Sequence, residues 1–465
     1  MSAFQFAIES ADNAEFNEAP LANGEETHTV ANAIAEAQDL AQEAADEDQV
    51  ADKLEDEQEQ AEDLAEEVED TVAQEGALDA TSARLLKVAL SNIVGKAHAK
   101  KTLPATESYS GGRQAGREAT RIALEGIKDT LKQFWEAIKA QFKKVYQKVK
   151  DWMIKTFSAA KKLQARAEAL QNKANSTVGS IEDKSFSFSQ TKAIAVEGKY
   201  NEPGKLTSSL NTLQEVIKGT ITEMKKDTVD AKIDDAVNAI KASFTGSGKN
   251  RSLNTQTINA LQDAVKGTVK GATAAATNAT IVGDKTKYDA QFGDANEVTV
   301  TGVFGLPGGR AIIVVEPKIA AADLKTAIKV LKGAKLVMAS DRYNPRDVTE
   351  GDVKTLTTSQ IDKVCDDVIE IAEIAYTYEK AWERRDKFQS KLEREVDQIV
   401  KEVDQEDHDK VDSTVQRAVR QYAEAFTASV RRRTTFESQF ISYALNTASA
   451  MLNYSERSLA QHKSK

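Results

Sequence analysis

The sequence predicts a mainly α-helical protein built of long amphipathic helices, with a C-terminal antiparallel helical hairpin and a small central α+β domain. Two long proline-free segments carry apolar residues at steps of three and four, the period of a packed helix. A central segment carries short apolar runs between glycine-rich turns, which favour strands. The charge is asymmetric: residues 1–107 hold 26 acidic and 6 basic side chains, and residues 108–465 hold 47 acidic and 56 basic. This asymmetry predicts an acidic segment attached to a body with a different electrostatic task.

The chain begins with an acidic leader, residues 1–80, which is rich in alanine and has Lys53 as its only base. Like charges four residues apart oppose a helix, and the leader has few large apolar side chains with which to build a core. We therefore expect residues 1–80 to be disordered or loosely helical. Residues 81–112 should form a short amphipathic helix, starting near Ser82, and then an exposed hinge.

A long basic amphipathic helix predicted over residues 113–175 is the strongest functional signal. Its apolar stripe runs from Leu124 to Trp152 with an average step of about 3.5 residues, which is typical of bundle or coiled-coil packing. Residues 113–173 hold 15 basic and 6 acidic side chains. The lysines lie mostly off the stripe, so we predict that they contact a polyanion. The alternative is a bundle helix with a solvated lysine face. The candidate contacts are Lys128, Lys132, Lys139, Lys143, Lys144, Lys148, Lys150 and Lys155.

The small α+β domain is predicted over residues 180–345. Its best signal is a hairpin, in which strands at 297–304 and 310–315 flank the turn Gly305-Leu306-Pro307-Gly308-Gly309. Further strands are predicted at 186–189, 193–196 and 336–338, and helices at 207–225, 229–243, 253–275 and 320–332.

Residues 355–465 are predicted to form the antiparallel helical hairpin, with helices at about 359–403 and 411–459. Ser359 and Asp362 make a capping box for the first helix, and its stripe predicts that Trp382 is at least half buried. The second helix carries another basic cluster that could contact DNA, for which a solvated face is the alternative. Its residues are Arg417, Arg420, Arg431, Arg432 and Arg433.

The sequence offers little support for an enzyme, a cofactor or a metal site. Its four histidines lack the spacing of a zinc site, and Cys365 falls on the apolar side of a helix. Neither the turn at 305–309 nor the glycines at 111–116 form a phosphate-binding loop. The first residues lack the basic and apolar regions of a signal peptide, so we expect a soluble protein made in a cytoplasm.

The hinge contains Ala105-Thr106-Glu107, followed by Ser108-Tyr109-Ser110-Gly111-Gly112. A small residue, any residue and then glutamate is the type of site used by the capsid-maturation proteases of giant tailed bacteriophages. The acidic leader, this hinge, the basic helix and the C-terminal hairpin together resemble the internal head proteins of those viruses, the inner-body or ejected proteins. Ala73-Gln74-Glu75 is the fallback cleavage site. Glu107 is preferred because an exposed glycine-rich hinge suits proteolysis.

The resemblance implies a non-enzymatic virion structural protein, made in the host bacterial cytoplasm and located inside the phage head. It implies removal of the leader as a propeptide by the phage maturation protease. The partners it implies are packaged double-stranded DNA, bound without sequence preference, and other head proteins, with self-association through the helices. One alternative is a prohead core or scaffold protein. Another is a bacterial amphipathic coiled-coil protein that contacts a membrane through its basic helix.

Overall fold

The computed structural model describes residues 24–177, 180–196, 198–200, 202–225, 298–318, 324–340, 351–378, 394 and 413–462. The chain divides into two compact units, each described here by itself. The leader unit comprises residues 43–148, and the body unit comprises residues 1–42 and 149–465.

Most of the described part of the leader is one 52-residue helix, α1 (Gly24–Glu75). The sequence predicts disorder or a loose helix for this segment, and the structure shows a helix over residues 24–75. Alanine has the highest helix propensity, and alanines recur along one side of α1. In the leader unit this row is buried at Ala44, Ala51, Ala61 and Ala65. The alanine row therefore gives α1 a packed face despite its charge.

Two short helices, α2 (Ala80–Val94) and α3 (Lys96–Thr102), connect the leader to α4 (Arg113–Ser176). The Asp79 carboxylate accepts a hydrogen bond from the Ser82 backbone N–H at 2.6 Å, so α2 begins earlier than the expected Ser82. This hydrogen bond lowers the pKa of Asp79. Helix α4 is the long basic helix predicted from the apolar stripe, and its first half packs with α1, α2 and α3 in one apolar core.

The described residues of the body unit form two small antiparallel sheets. Strand β1 (Ser185–Phe188) pairs with β5 (Gly351–Lys354), while β2 (Val298–Leu306), β3 (Arg310–Pro317) and β4 (Lys335–Ser340) form a three-stranded sheet in that order. The predicted β2–β3 hairpin is confirmed, and Gly308 at its tip has φ +70°. Tyr443 donates a hydrogen bond of 2.6 Å to the Pro307 carbonyl and holds this tip.

In the part of the chain that the structure describes, the helices beside the sheets are α5 (Thr191–Ile194), α6 (Pro203–Lys225) and α7 (Leu324–Gly333). The strand predicted at 193–196 is wrong over most of its length, since Thr191–Ile194 is a helical turn and Val196 forms an isolated bridge. A four-residue apolar run fits either structure, and tertiary packing decides between them. The helices predicted at 229–243 and 253–275 lie outside the described residues.

The C-terminal helices are α8, described over 358–378, and α9 (Ser413–Leu459). Leu356 N donates to Ser458 Oγ at 3.2 Å, and Tyr378 Oη donates to Glu437 Oε2 at 2.8 Å. One end of α8 therefore lies beside the end of α9 and its other end lies beside the middle of α9, which confirms the antiparallel pairing. The connection between the two helices and Trp382 lie outside the described residues.

The capping box of α8 lies two residues before the predicted pair of Ser359 and Asp362. Thr357 N donates to Gln360 Oε1 at 2.9 Å, and Gln360 N donates to Thr357 Oγ1 at 3.3 Å. Threonine followed three residues later by glutamine satisfies the same geometric rule. The helix therefore begins at 358.

The second half of α4 packs with α8 and α9 in the body unit. The Trp152 indole is buried and donates to Ser442 Oγ at 2.6 Å, and its ring meets Tyr378 edge to face. Farther along α4, Arg166 pairs with Glu456 at 2.5 Å. These contacts make a three-helix core that fixes the C-terminal half of the basic helix.

Candidate nucleic-acid interface

Helix α4 is amphipathic in the way its sequence predicts. Its apolar stripe is buried in the leader unit at Ile127, Leu131, Phe134, Ile138 and Phe142. The eight lysines predicted to contact phosphates lie off this stripe, between positions 128 and 155 of α4. The helix can therefore bury its apolar face and still present lysines beside that face.

Three of these lysines form ion pairs with carboxylates of α1 in the leader unit. Lys148 pairs with Glu43, Lys144 with Glu47 at 3.9 Å and Lys128 with Glu69 at 3.8 Å. The glutamate numbers rise as the lysine numbers fall, so the two helices run antiparallel. Gln141 Nε2 also donates to the Glu47 carbonyl at 3.0 Å, which joins the two helices at the same level.

A fourth lysine is paired in the body unit, where Lys155 Nζ lies 2.6 Å from Glu36 Oε2. Half of the eight predicted phosphate contacts on α4 thus hold carboxylates of the acidic leader. All four pairs are partly exposed, and such pairs weaken with salt because ions screen exposed charges.

The other predicted lysines on α4 have different surroundings. Lys139 pairs with Glu136 at 2.8 Å on its own helix and lies over the Trp135 ring. Lys132, Lys143 and Lys150 are exposed and form no ion pair with a residue that the structure describes. Steps of 11 and 7 residues bring these three lysines within about 20° of one another around a helix. Together they form one solvent-exposed row of basic side chains along α4, called the open row.

The sequence predicts that the acidic leader competes with DNA for the basic surface, but it did not name the individual carboxylates that pair with the lysines of α4. A signal was available in the spacing. Glu36 and Glu43 are seven residues apart, as are Lys148 and Lys155. Two antiparallel helices with charges at matching intervals can align them in register.

The second basic cluster needs a correction. Arg431 and Arg433 are buried in the body unit, and Arg433 Nε donates to Glu437 Oε1 at 2.9 Å. Arg432 donates to the Lys332 carbonyl at 3.0 Å. Because these side chains are buried or hydrogen-bonded within the body unit, we exclude them from the DNA surface. The side chains of Arg417 and Arg420 lie outside the described residues.

Both predicted cleavage sites are accessible. Ala105 and Glu107 are exposed at a single 3-10 turn, Thr106–Ser110, with Thr106 partly exposed. Ala73, Gln74 and Glu75 are exposed in the last turn of α1. By contrast, the alanines of the tripeptides at 41–43 and 65–67 are buried within α1. Exposure at an element end favours the two predicted sites.

The described residues offer little for metal or covalent chemistry. Within them, no group of three or more histidine, cysteine, aspartate or glutamate side chains could hold a metal ion. Cys365 is fully buried, and this burial raises the pKa of its thiol to about 12, which keeps it protonated and unreactive. None of the described helices is long and apolar enough to cross a membrane.

Long packed helices, with an acidic helix laid on a basic one, define a mainly helical protein. Residues 29–457 match the model of the phiKZ-like phage internal head proteins, and the chain belongs to this family. The family places the protein inside the phage head as a structural component of the virion. No curated protein and no solved structure matches the chain.

Proposed function

We propose that this internal head protein binds packaged double-stranded DNA without sequence preference through α4, and that its acidic leader covers this surface until a maturation protease removes the leader. One observation carries the proposal. Four of the lysines predicted to contact phosphates, Lys128, Lys144, Lys148 and Lys155, pair with leader carboxylates.

The leader acts as an intramolecular competitor of DNA. Its carboxylates lie at the lysines that would otherwise displace counterions from phosphates. A tethered competitor acts at an effective concentration in the millimolar range, on the order of that for a short linker. A full-length chain therefore binds DNA weakly, and removal of the leader makes the same lysines available.

The open row of Lys132, Lys143 and Lys150 gives the full-length chain a residual DNA surface. These lysines are exposed whether or not α1 is present, because they do not pair with it in the described structure. The complete surface thus has two parts: a row that is always open and a set of lysines that the leader covers.

The test compares the full-length chain with chains that begin at residue 76 or at residue 108, in one DNA-binding assay at moderate salt. Both shorter chains should bind more tightly, and their binding should fall more steeply with salt. Equal affinity of all three chains would refute the masking role. Binding that does not respond to salt would refute the electrostatic role.

Two sets of lysine substitutions separate the parts of the surface. Replacing Lys144 and Lys148 with glutamine should weaken DNA binding only in the leader-free chains, since the leader already occupies these lysines. Replacing Lys132, Lys143 and Lys150 with glutamine should weaken binding in every form, with a salt slope lower by up to about three contacts. An identical loss from both sets in the full-length chain would contradict the assignment.

A further inference from the structure

We propose that the segment before the Glu107 site, which includes the leader, divides at Glu75 into two parts with different fates: an acidic lid, residues 24–75, that leaves α4, and a cap, residues 76–107, that stays on α4 as part of the DNA-binding body. This inference rests on the proposed function, because it names the part of the leader that regulates the basic surface.

The charge changes sign at Glu75 and not at Glu107. Residues 1–75 hold 24 acidic and 1 basic side chains, whereas residues 76–107 hold 2 acidic and 5 basic. The cap is therefore electrostatically part of the body. A break after Glu107 that released everything before it would discard three net positive charges that a DNA-binding surface can use.

The lid is held by fewer fully buried large apolar side chains than the cap, and by charge. The lid buries three larger apolar side chains, Val30, Ile34 and Val68, and its other buried apolar side chains are alanines. Leu54, Leu64 and Val72 are partly buried. In the leader unit, the lid also forms ion pairs with α4 through Glu43, Glu47 and Glu69. Small contacts and exposed ion pairs make an interface that salt or a competing polyanion can open.

The cap is held by larger apolar side chains. Leu78, Leu86, Leu90 and Leu103 are buried in the same core as the stripe of α4. Burial of leucine is insensitive to charge screening, because it depends on apolar area removed from water. The cap thus buries four leucines within residues 76–107, whereas the longer lid buries two valines and one isoleucine, so salt-resistant burial contributes more to the attachment of the cap.

Backbone contacts reinforce the cap at both of its ends. Leu78 N donates to Thr120 Oγ1 of α4 at 3.0 Å. At the other end, a Cβ added to Gly126 would lie 2.3 Å from the Thr102 carbonyl oxygen, so the end of α3 approaches α4 closely at this glycine. These contacts fix the cap on the first half of α4 whether or not α1 is present.

Loss of the cap would leave a contiguous bulky stripe on α4. Ile127, Leu131 and Phe134 share the core with the cap leucines. An uncovered patch of this kind promotes association or aggregation. A body that begins after Glu75 keeps its cover, which is a second reason for the cap to remain.

The experiment inserts the recognition sequence of a site-specific protease in the full-length chain, either between Glu75 and Gly76 or in the exposed loop at 110–112. The folded protein is then cut and run on size-exclusion chromatography at low and high salt. The cut near residue 76 should release the lid at high salt, with DNA affinity at least about tenfold above that of the uncut chain because the tether is lost. The cut near residue 111 should leave the fragment bound and DNA affinity within about twofold of that of the uncut chain.

A matched pair of variants tests the leucine attachment. Leu86→Ala with Leu90→Ala should let the chain cut near residue 111 lose its fragment, because both side chains are buried against α4. Leu85→Ala with Val88→Ala is the control on the same helix, since these side chains are 67% and 60% exposed. The control should retain the fragment as the parent chain does.

The outcomes separate this inference from the proposed function. If the cut near residue 111 releases its fragment as readily as the cut near residue 76 releases the lid, the cap is not anchored and the inference is overturned. It is also overturned if the capped body binds DNA no more tightly than a body that has lost the cap. If release follows the expected pattern but neither cut changes DNA affinity, the two-part leader stands and the masking function fails.

Discussion

Replacing Glu43, Glu47 and Glu69 together with glutamine should raise the affinity of the full-length chain for double-stranded DNA. Each carboxylate pairs with a lysine of α4, and each pair is partly exposed. Exposed pairs are worth about 0.2–1 kcal/mol each, so the three together contribute on the order of 1.5 kcal/mol to holding the lid. If DNA binds after the lid opens, this loss corresponds to roughly tenfold tighter binding.

The matched control replaces Asp56, Asp63 and Asp70 with asparagine. These carboxylates lie at seven-residue intervals on α1, are exposed and form no ion pair that the structure describes. The control removes the same three negative charges, so any general electrostatic gain is common to both variants. The difference between the two variants therefore reports the ion pairs.

The assay is a fluorescence anisotropy titration of a DNA duplex at two salt concentrations, with amide hydrogen exchange of α1 measured in parallel. The glutamine variant should bind more tightly and exchange faster in α1, and its advantage should shrink at high salt as screening weakens the pairs. Equal DNA affinity of the two variants would refute the reasoning, because the ion pairs would then contribute nothing to masking.

Two further predictions concern the body unit. The Asp367 carboxyl is buried, and burial raises its pKa to about 6. The folded state therefore holds a proton that the unfolded state loses near pH 4, and stability falls as the pH rises from about 4 to about 6. Asp367→Asn should stabilise the protein at pH 7 by up to about 3 kcal/mol, but little at pH 4, in urea unfolding; an equal effect at both pH values would contradict the burial argument. Ser442→Ala should cost about 1–3 kcal/mol by leaving the buried Trp152 N–H without its acceptor, where Ser442→Thr keeps an acceptor; no change in the urea midpoint would show that the indole N–H finds another partner.

The long basic helix was predictable because its signal is local and continuous. An unbroken apolar stripe without proline predicts a helix over 113–175, and the structure has Arg113–Ser176. The β2–β3 hairpin was predictable for a similar reason, since its turn glycines supply the positive φ angles that the tip requires. In both cases the residues that decide the structure are neighbours in the chain.

The state of the leader depends on residues far away in the sequence. Its own charges repel one another, which favours disorder when the segment is considered alone. The lysines that compensate Glu43, Glu47 and Glu69 lie between 59 and 105 residues later. Only the antiparallel arrangement of α1 and α4 brings these charges together.

The cluster Arg431-Arg432-Arg433 shows a different limit. A helix that packs on one side exposes its charged face, but α9 contacts α7 and β4 as well as α8. Its polar side chains Thr434 and Ser438 are buried too. When several elements cover a helix, its sequence does not reveal which charged residues lie inside.

The first residue of this protein in mature phage heads tests most directly whether the lid is removed from α4. Intact-mass and N-terminal measurements on the chain recovered from purified particles give this residue. We predict a chain that lacks the acidic lid and begins at Gly76, after the exposed tripeptide Ala73-Gln74-Glu75. A mature chain that still carries residues 24–75 would contradict this mechanism, because the lysines of α4 would remain covered in the finished head.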